Sequence, residues 1–384
     1  MRSVTVTLSL ALSLALPLTL LTTACTGGTG RPATCEETRL LMDTVVRIQA
    51  CASDRQQAQQ AVTAALDEIA RLDHLWNPYL PESEVSRINR RAGQTSVTVS
   101  PDTMRVLEVA IQVARLSGGA FDPTIGPLVK AWGFAHPAPG QPAESQPAGS
   151  QPTGGQPAGG EPGGPHIPGQ EDLRRARAAV DYRQLQLDTS ASTAFLKQPG
   201  MALDLGAIAK GYAVDRAVQV LREHGVEGAL VVAGGSVFAL GKPSEAGLSA
   251  GAGLSPITSA WRIAIQHPRR SDQVLGVIPL RDQAVDTSGD YQRFFEEEGT
   301  RYHHILDPHT GYPARLCQSV TVVAPQGVWA DALATAIFVL GPEGGLPLLN
   351  HVPGSKALVV DTGGKIHTSL GFQWEPARQG DRFP

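Results

Sequence analysis

Three groups of residues in this chain have types and spacings suited to chemistry. Asp331 and Thr335 lie four apart in ADALATA, so on a helix their oxygens project from one face. A carboxylate and a hydroxyl are hard donors, better matched to Mg²⁺ than to zinc or copper. An Asp near a helix start is also an ordinary cap, so the spacing alone admits both readings. In LDLGAIAKGYAVDRA (203–217) a strand runs to Leu205, Gly206 turns, and a helix follows. Open amides at such an N-terminus attract phosphate, and Lys210 adds a positive charge one turn in. Neither GxxxxGK[ST] nor GxGxxG is present, and a plain strand-to-helix turn with a surface Lys has the same pattern. The third group, TSGDYQRF…RYHHILDPHTGYP (287–313), crowds two histidines beside an Asp-Pro turn. Asp307 and Thr310 can serve that turn alone, and His304 can be a core histidine.

The elements that must position these groups are strands and helices in mixed order. Leu40–Cys51 is apolar and β-branched and reads as a strand. Residues 54–75 carry Ala58, Ala61, Val62, Ala65, Ile69 and Leu72 at helical spacing. WNPYLPES breaks that helix, Ser83-Glu84 opens a short one through Ile88, and Ser100-Pro101 opens another. EDLRRARAAV predicts a short helix, YRQLQLD and MALDL strands, and 206–225 a helix. GALVVAGGSVFALG predicts a strand, a glycine turn and a strand; WRIAIQHP, VLGVIPLRD, YHHILD and SVTVVAP predict further strands, and 330–340 a helix. The elements lack strict βαβ alternation, which makes the class α+β, with mixed, largely antiparallel sheets packed with helices.

The chain has 384 residues, 32 Lys plus Arg against 36 Asp plus Glu, and 42% hydrophobic residues. That is enough apolar material for a core, and no basic block is present to track phosphates, which argues against nucleic acid as a partner. The N-terminus has the layout of a secretory signal: one Arg, an apolar run from Val4 to Leu21, and small residues before Cys25. Cys25 after Thr-Thr-Ala resembles a bacterial lipobox, although Thr22 stands where Leu is usual. The predicted organisation is a signal peptide over 1–24, a tether over 25–39 beginning at lipidated Cys25, a domain over 40–350, and a C-terminal strand and tail over 351–384. The protein is then exported and anchored by lipid to the outer face of the cell membrane. Of Cys35, Cys51 and Cys317, at most two can pair, and no bond between Cys35 and Cys51 is assumed. Residues 136–170 interrupt the domain with prolines every five residues and only Ile167 as a large aliphatic, the composition of a disordered insertion.

In order, the chain carries Met42-Asp43-Thr44, PESEVSRIN (81–89), GGAFDPTIGPLVKAWGF (118–134), LDLGAIAKGYAVDRA, VVAGGSVFALG (231–241), TSGDY, HHILDPHTGYP and ADALATA. This series resembles the ApbE family, the FAD:protein FMN transferases, over residues 40 to about 350 apart from the insertion. The resemblance implies that FAD is split at its pyrophosphate, that FMN is attached to a Thr or Ser hydroxyl of a target protein, and that AMP leaves. It implies Mg²⁺ held by Asp331, Thr335 and backbone oxygens near Ala207 and Ala334. It implies flavin contacts from Met42, Tyr79, Leu80, Pro81, Ala120, Phe121, Asp122, Asp204, Lys210 and Ile305. His304 then stands where the family places a general base for the incoming hydroxyl. The acceptor implied is an exported or membrane flavoprotein.

Three departures are visible. Asp43 replaces the usual Gly of Met-Gly-Thr, Ser236 follows the GG turn where relatives often carry an acidic or amide residue, and the insertion follows the WGF segment. Two other readings share the same pocket: an Mg²⁺-dependent FAD pyrophosphatase, and a flavin-binding lipoprotein without transferase activity. Asp331, Thr335 and His304 together argue against the pure binder.

Overall fold

The computed structural model describes residues 22–26, 33–134, 164–243 and 260–378, the first of these as backbone only. Nine strands form the central sheet, in the order Thr22–Thr26, Ala33–Leu41, Thr44–Ala52, Gly228–Ala233, Ser236–Leu240, Gln283–Gly289, Cys317–Ala324, Lys356–Asp361 and Ile366–Thr368. Every neighbouring pair is antiparallel. The class is α+β, as the sequence predicts.

Seven helices accompany the sheet among the described residues: α1 (Arg55–Trp76), α2 (Glu84–Arg90), α3 (Pro101–Leu116), α4 (Gly126–Ala131), α5 (Gln170–Ala178), α6 (Ala209–Glu223) and α7 (Gly327–Gly345). Their starts follow the cap signals. Asp54, Ser83 and Ser100 each accept a hydrogen bond from the N–H three residues on. The helices α1, α6 and α7 pack together, with α1 and α7 against the sheet. A small sheet of Trp261–His267, Arg270–Leu280 and Glu375–Pro376 covers the other face through Ile265, Ile278 and Leu280 against Val285, Val323 and Leu358. Both faces being covered, all eight residues of Cys317–Ala324 are buried. The helix α7 is apolar around its circumference for the same reason.

A third cluster builds one flank of the cleft described below. Trp132 is fully buried and donates from Nε1 to the Gly311 carbonyl at 2.8 Å, which ties α4 to the 307–312 turn. Phe134, Leu173, Leu306, Phe295 and Tyr302 close around it.

Several predicted elements differ. The single strand over 40–51 is a hairpin, Ala33–Leu41 against Thr44–Ala52, with Leu41 paired to Thr44. Met42 and Asp43 form its two-residue turn at φ 54° and 56°. Both lie in the left-handed region that such turns require, and the usual glycine signal is missing. Residues 33–39, expected in a tether, are therefore strand. MALDL makes one bridge, Ala202 to Ile125, and no ladder. Asn89 satisfies Leu203 instead, accepting from its N–H at 2.7 Å and donating to its carbonyl at 3.1 Å. YRQ is a 3₁₀ turn (Tyr182–Gln184) before the Leu185–Asp188 strand, and α6 begins three residues later than predicted. The YHHILD strand ends at His303, which leaves His304 just beyond it. Lys356–Asp361 is the C-terminal strand expected within 351–384, and it belongs to the central sheet rather than standing apart from the domain over 40–350. Of the predicted disordered insertion, 136–163 lies outside the described residues. Residues 164–169 turn back onto Trp132, whose carbonyl accepts from the His166 N–H at 3.1 Å. Cys35 is disulfide-bonded and Cys51 and Cys317 are free, so Cys35 and Cys51 do not pair.

Candidate active site

One cleft opens between the 42–43 turn, the end of α1, the 120–122 loop, the start of α6, the Gln283–Gly289 strand, the 304–308 loop and α7. Each wall is set by local chemistry. The Asn77 side chain accepts from the Tyr79 N–H at 2.9 Å and turns the chain after α1. Ser117 Oγ accepts from the Phe121 N–H at 3.1 Å. Asp122 accepts from both the N–H and hydroxyl of Thr124 and from the Tyr182 N–H, which locks the loop. Burial nevertheless holds its carboxyl above the usual carboxylate range.

Met42, Tyr79, Ala120, Phe121, Asp122, Asp204, Ala207, Lys210, His304, Ile305, Asp331 and Thr335 all line this cleft. Leu80, Pro81 and Ala334 do not. Ala334 is fully buried within α7, between Asp331 and Thr335, and Leu80 and Pro81 follow Tyr79 in the turn after α1.

The start of α6 carries no side-chain cap, and its Ala209 N–H donates to the Leu205 carbonyl at 2.8 Å. Asp204 accepts from the Gly206 N–H at 2.8 Å, and Lys210 Nζ donates to the Gly206 carbonyl at 2.8 Å. Asp331 is 3% exposed and accepts from the Gly211 N–H at 2.9 Å. Thr335 Oγ1 sits 3.3 Å from Ser288 Oγ. These are hard oxygen donors on one wall. No group of three or more His, Cys, Asp or Glu side chains that could hold a metal occurs among the described residues. A donor set so sparse suits Mg²⁺, which keeps waters and takes its remaining ligands from phosphate.

His304 lies in the opposite loop. Its Nδ1 is 3.2 Å from the Arg293 carbonyl, and its own N–H donates to that same carbonyl at 3.1 Å. A carbonyl only accepts, which assigns the ring proton to Nδ1 and leaves Nε2 with its lone pair. Burial, then the charge of Arg293, hold the imidazole well below its ordinary pKa, so it is neutral at pH 7. His303 has a structural part: its Nε2 donates to the Ala314 carbonyl at 2.8 Å and its Nδ1 accepts from the Ile305 N–H.

Further lining residues include Asp73, Trp76, Arg293 and Asp286. Asp73 accepts from the Met42 N–H at 3.0 Å and supports the left-handed turn, with burial raising its pKa. Trp76 packs edge-on against Tyr212. Arg293 lies inside the TSGDYQRF motif and also lines the cleft. Asp286 precedes that motif and accepts from Ser236 Oγ at 2.5 Å, its direct partner across the strand pair. A carboxylate from the neighbouring strand thus stands beside Ser236. Asp43, noted as a departure, does reach the cleft. Burial, with Asp43 and Asp204 adding to it, pushes the Tyr79 hydroxyl up to about 12.

Comparison with known proteins agrees with this arrangement. The sequence profile of the ApbE family matches residues 42–359. An FAD:protein FMN transferase of Treponema pallidum is 36% identical over 360 residues, spanning 90% of each chain. The crystal structure of an ApbE protein from Thermotoga maritima is similar with a TM-score of 0.72 and 33% identity, over 88% of this chain and 97% of that one. The apo form of the Pseudomonas stutzeri flavinyl transferase ApbE is similar with a TM-score of 0.68 and 28% identity, over 89% and 96% of the two chains. With its motifs converging on one cleft and its whole fold shared with these proteins, the chain belongs to the ApbE family.

Proposed function

We propose that the protein transfers FMN from FAD to a Thr or Ser hydroxyl of a target protein and releases AMP. The observation that carries this reading is that one cleft holds both a neutral histidine with a free Nε2 and the Asp331–Thr335 oxygen pair. The acceptor hydroxyl attacks the FMN phosphorus and loses its proton to His304 Nε2. The bond to the bridging oxygen breaks, and its electron pair leaves on AMP. Tyr79 and Phe121 offer flat apolar surface for a ring system. Lys210, which lines the cleft at the foot of α6, supplies positive charge for the phosphates. Asp331, Thr335 and the backbone oxygen of Ala207 would hold Mg²⁺, which when bound supplies charge neutralisation at the pyrophosphate.

Incubation with FAD, Mg²⁺ and a candidate acceptor domain tests the reading, with AMP and protein-bound FMN measured. AMP and bound FMN in equal amounts support transfer. AMP with free FMN instead identifies a pyrophosphatase, and neither product a binder.

Export and anchoring through lipid on Cys25 are part of the same proposal and rest on the leader sequence. A thioether lipid uses the Cys25 sulfur and so excludes a bond from it to Cys35, whose Cα stands opposite across the strand pair. Intact mass of membrane-extracted protein, before and after reduction, separates the two.

A further inference from the structure

The cleft is acidic. Asp43, Asp73, Asp122, Asp204, Asp286 and Asp331 line it, against only Lys210 and Arg293 as cations. An anionic pyrophosphate entering it therefore needs localised positive charge. Lys210 is tied to the foot of α6 through the Gly206 carbonyl. Arg293 differs from the arginines around it. Arg269 pairs bidentately with Asp290, and Arg301 pairs with Glu296 and lies over the Phe294 ring. Arg293 makes no ion pair among the described residues, although it lines a cleft with six carboxylates. Its charge acts on Tyr79 and on His304 alike, which puts the guanidinium within electrostatic range of both. Its carbonyl meanwhile holds the backbone and ring of His304.

We infer that Arg293 binds the pyrophosphate of FAD and carries the negative charge that passes to AMP as the phosphorus–oxygen bond breaks. The inference rests on the FAD-dependent reading above and adds to it a phosphate ligand delivered by the same peptide unit that orients the base. A guanidinium presents a planar fork matched to phosphate oxygens. The electron pair of the breaking bond moves onto the AMP phosphate, where a fixed cation stabilises it most. The coupling is geometric: a shift of the 293 peptide moves the cation and His304 together.

The test is a set of binding titrations on the full chain without turnover. FAD and riboflavin are titrated by flavin fluorescence against wild type, Arg293→Ala and Arg293→Lys, and inorganic pyrophosphate is used to displace FAD. Arg293→Ala should weaken FAD roughly ten- to a hundredfold and weaken displacement by pyrophosphate similarly, with riboflavin unchanged. Arg293→Lys should recover part of the loss. Equal weakening of riboflavin and FAD would mean a structural role and overturn the inference, as would unchanged affinity for FAD and pyrophosphate. If Arg293→Ala does not fold, Arg293→Gln makes the same comparison. A wild type that never flavinylates a protein, yet loses FAD selectively in Arg293→Ala, would sink the transfer reading and leave this one standing.

Discussion

At the residue scale the decisive group is His304. A Thr hydroxyl is a poor nucleophile at neutral pH, so removing its proton as the bond forms is worth roughly two to four orders of magnitude. His304→Ala should keep near-normal FAD affinity and lose that factor in single-turnover flavinylation, measured with enzyme in excess over FAD. Weak FAD binding with a normal single-turnover rate would retire the base and point to a shaping role. The lowered pKa adds a pH signature. The base form persists as pH falls through 6.5, so the single-turnover rate should stay flat there and drop only at lower pH. Asp331 makes a separate prediction. Its carboxylate also satisfies the Gly211 N–H, so Asp331→Ala strands a buried donor at a cost of about 1–3 kcal/mol. Asp331→Asn keeps an acceptor and should fold normally while losing Mg²⁺-dependent transfer. Full activity of that variant at ordinary Mg²⁺ would remove the metal assignment.

At the element scale, α6 and α7 hold each other through crossed contacts. Asp331 on α7 accepts from Gly211 on α6, while Asp215 on α6 accepts from Gly327 and Val328 at the start of α7. A side chain at Gly211 would collide with the Gly327 carbonyl, so the crossing needs glycine on both helices. Burial raises the Asp215 pKa to about 6. The folded state then binds more protons than the unfolded chain between about pH 4 and 6. Asp215 therefore favours folding most below pH 4, and that contribution is lost as pH rises through 6. Asp215→Asn should flatten this component, read as the difference between wild-type and variant melting curves across pH 4–7. The hairpin tip makes a second prediction at this scale. Asp43 sits at φ 56°, so Asp43→Gly should stabilise by roughly 0.5–1 kcal/mol, seen as a higher melting temperature. It should also lower the Tyr79 titration from about 12 by removing a nearby charge.

At the scale of the whole molecule, helices and a small sheet enclose the central sheet, and the cleft lies where its loops meet α6 and α7. Residues 136–163 fall between two parts of the Trp132 cluster, α4 before them and α5 after. Their composition offers almost nothing to bury, so deleting 136–163 should change stability by about 0.5 kcal/mol or less. Residues 164–169 must be retained, because the His166 N–H bonds the Trp132 carbonyl. A large fall in melting temperature on the shorter deletion would show that the segment is docked.

Much of this was legible in the amino-acid order. Cap residues marked α1, α2 and α3, the 3.6-residue stripes marked the helix faces, and the motif series marked the family and most of the cleft. These are local signals, carried by neighbouring residues and independent of what lies across the molecule. The rest depended on distant partners. Met42 and Asp43 turn the chain without glycine, in a turn whose Met42 N–H is bonded by Asp73. MALDL stays out of a sheet because Asn89, far away in sequence, supplies its hydrogen bonds. The C-terminal strand Lys356–Asp361 was expected, but its place in the core comes from the edge that Cys317–Ala324 offers it. Asp286 enters the site through its strand register against Ser236, and Arg293 through the carbonyl that holds His304. A residue's type and its near neighbours are written in the sequence, whereas its register, its burial and the charge facing it exist only once the chain has closed on itself.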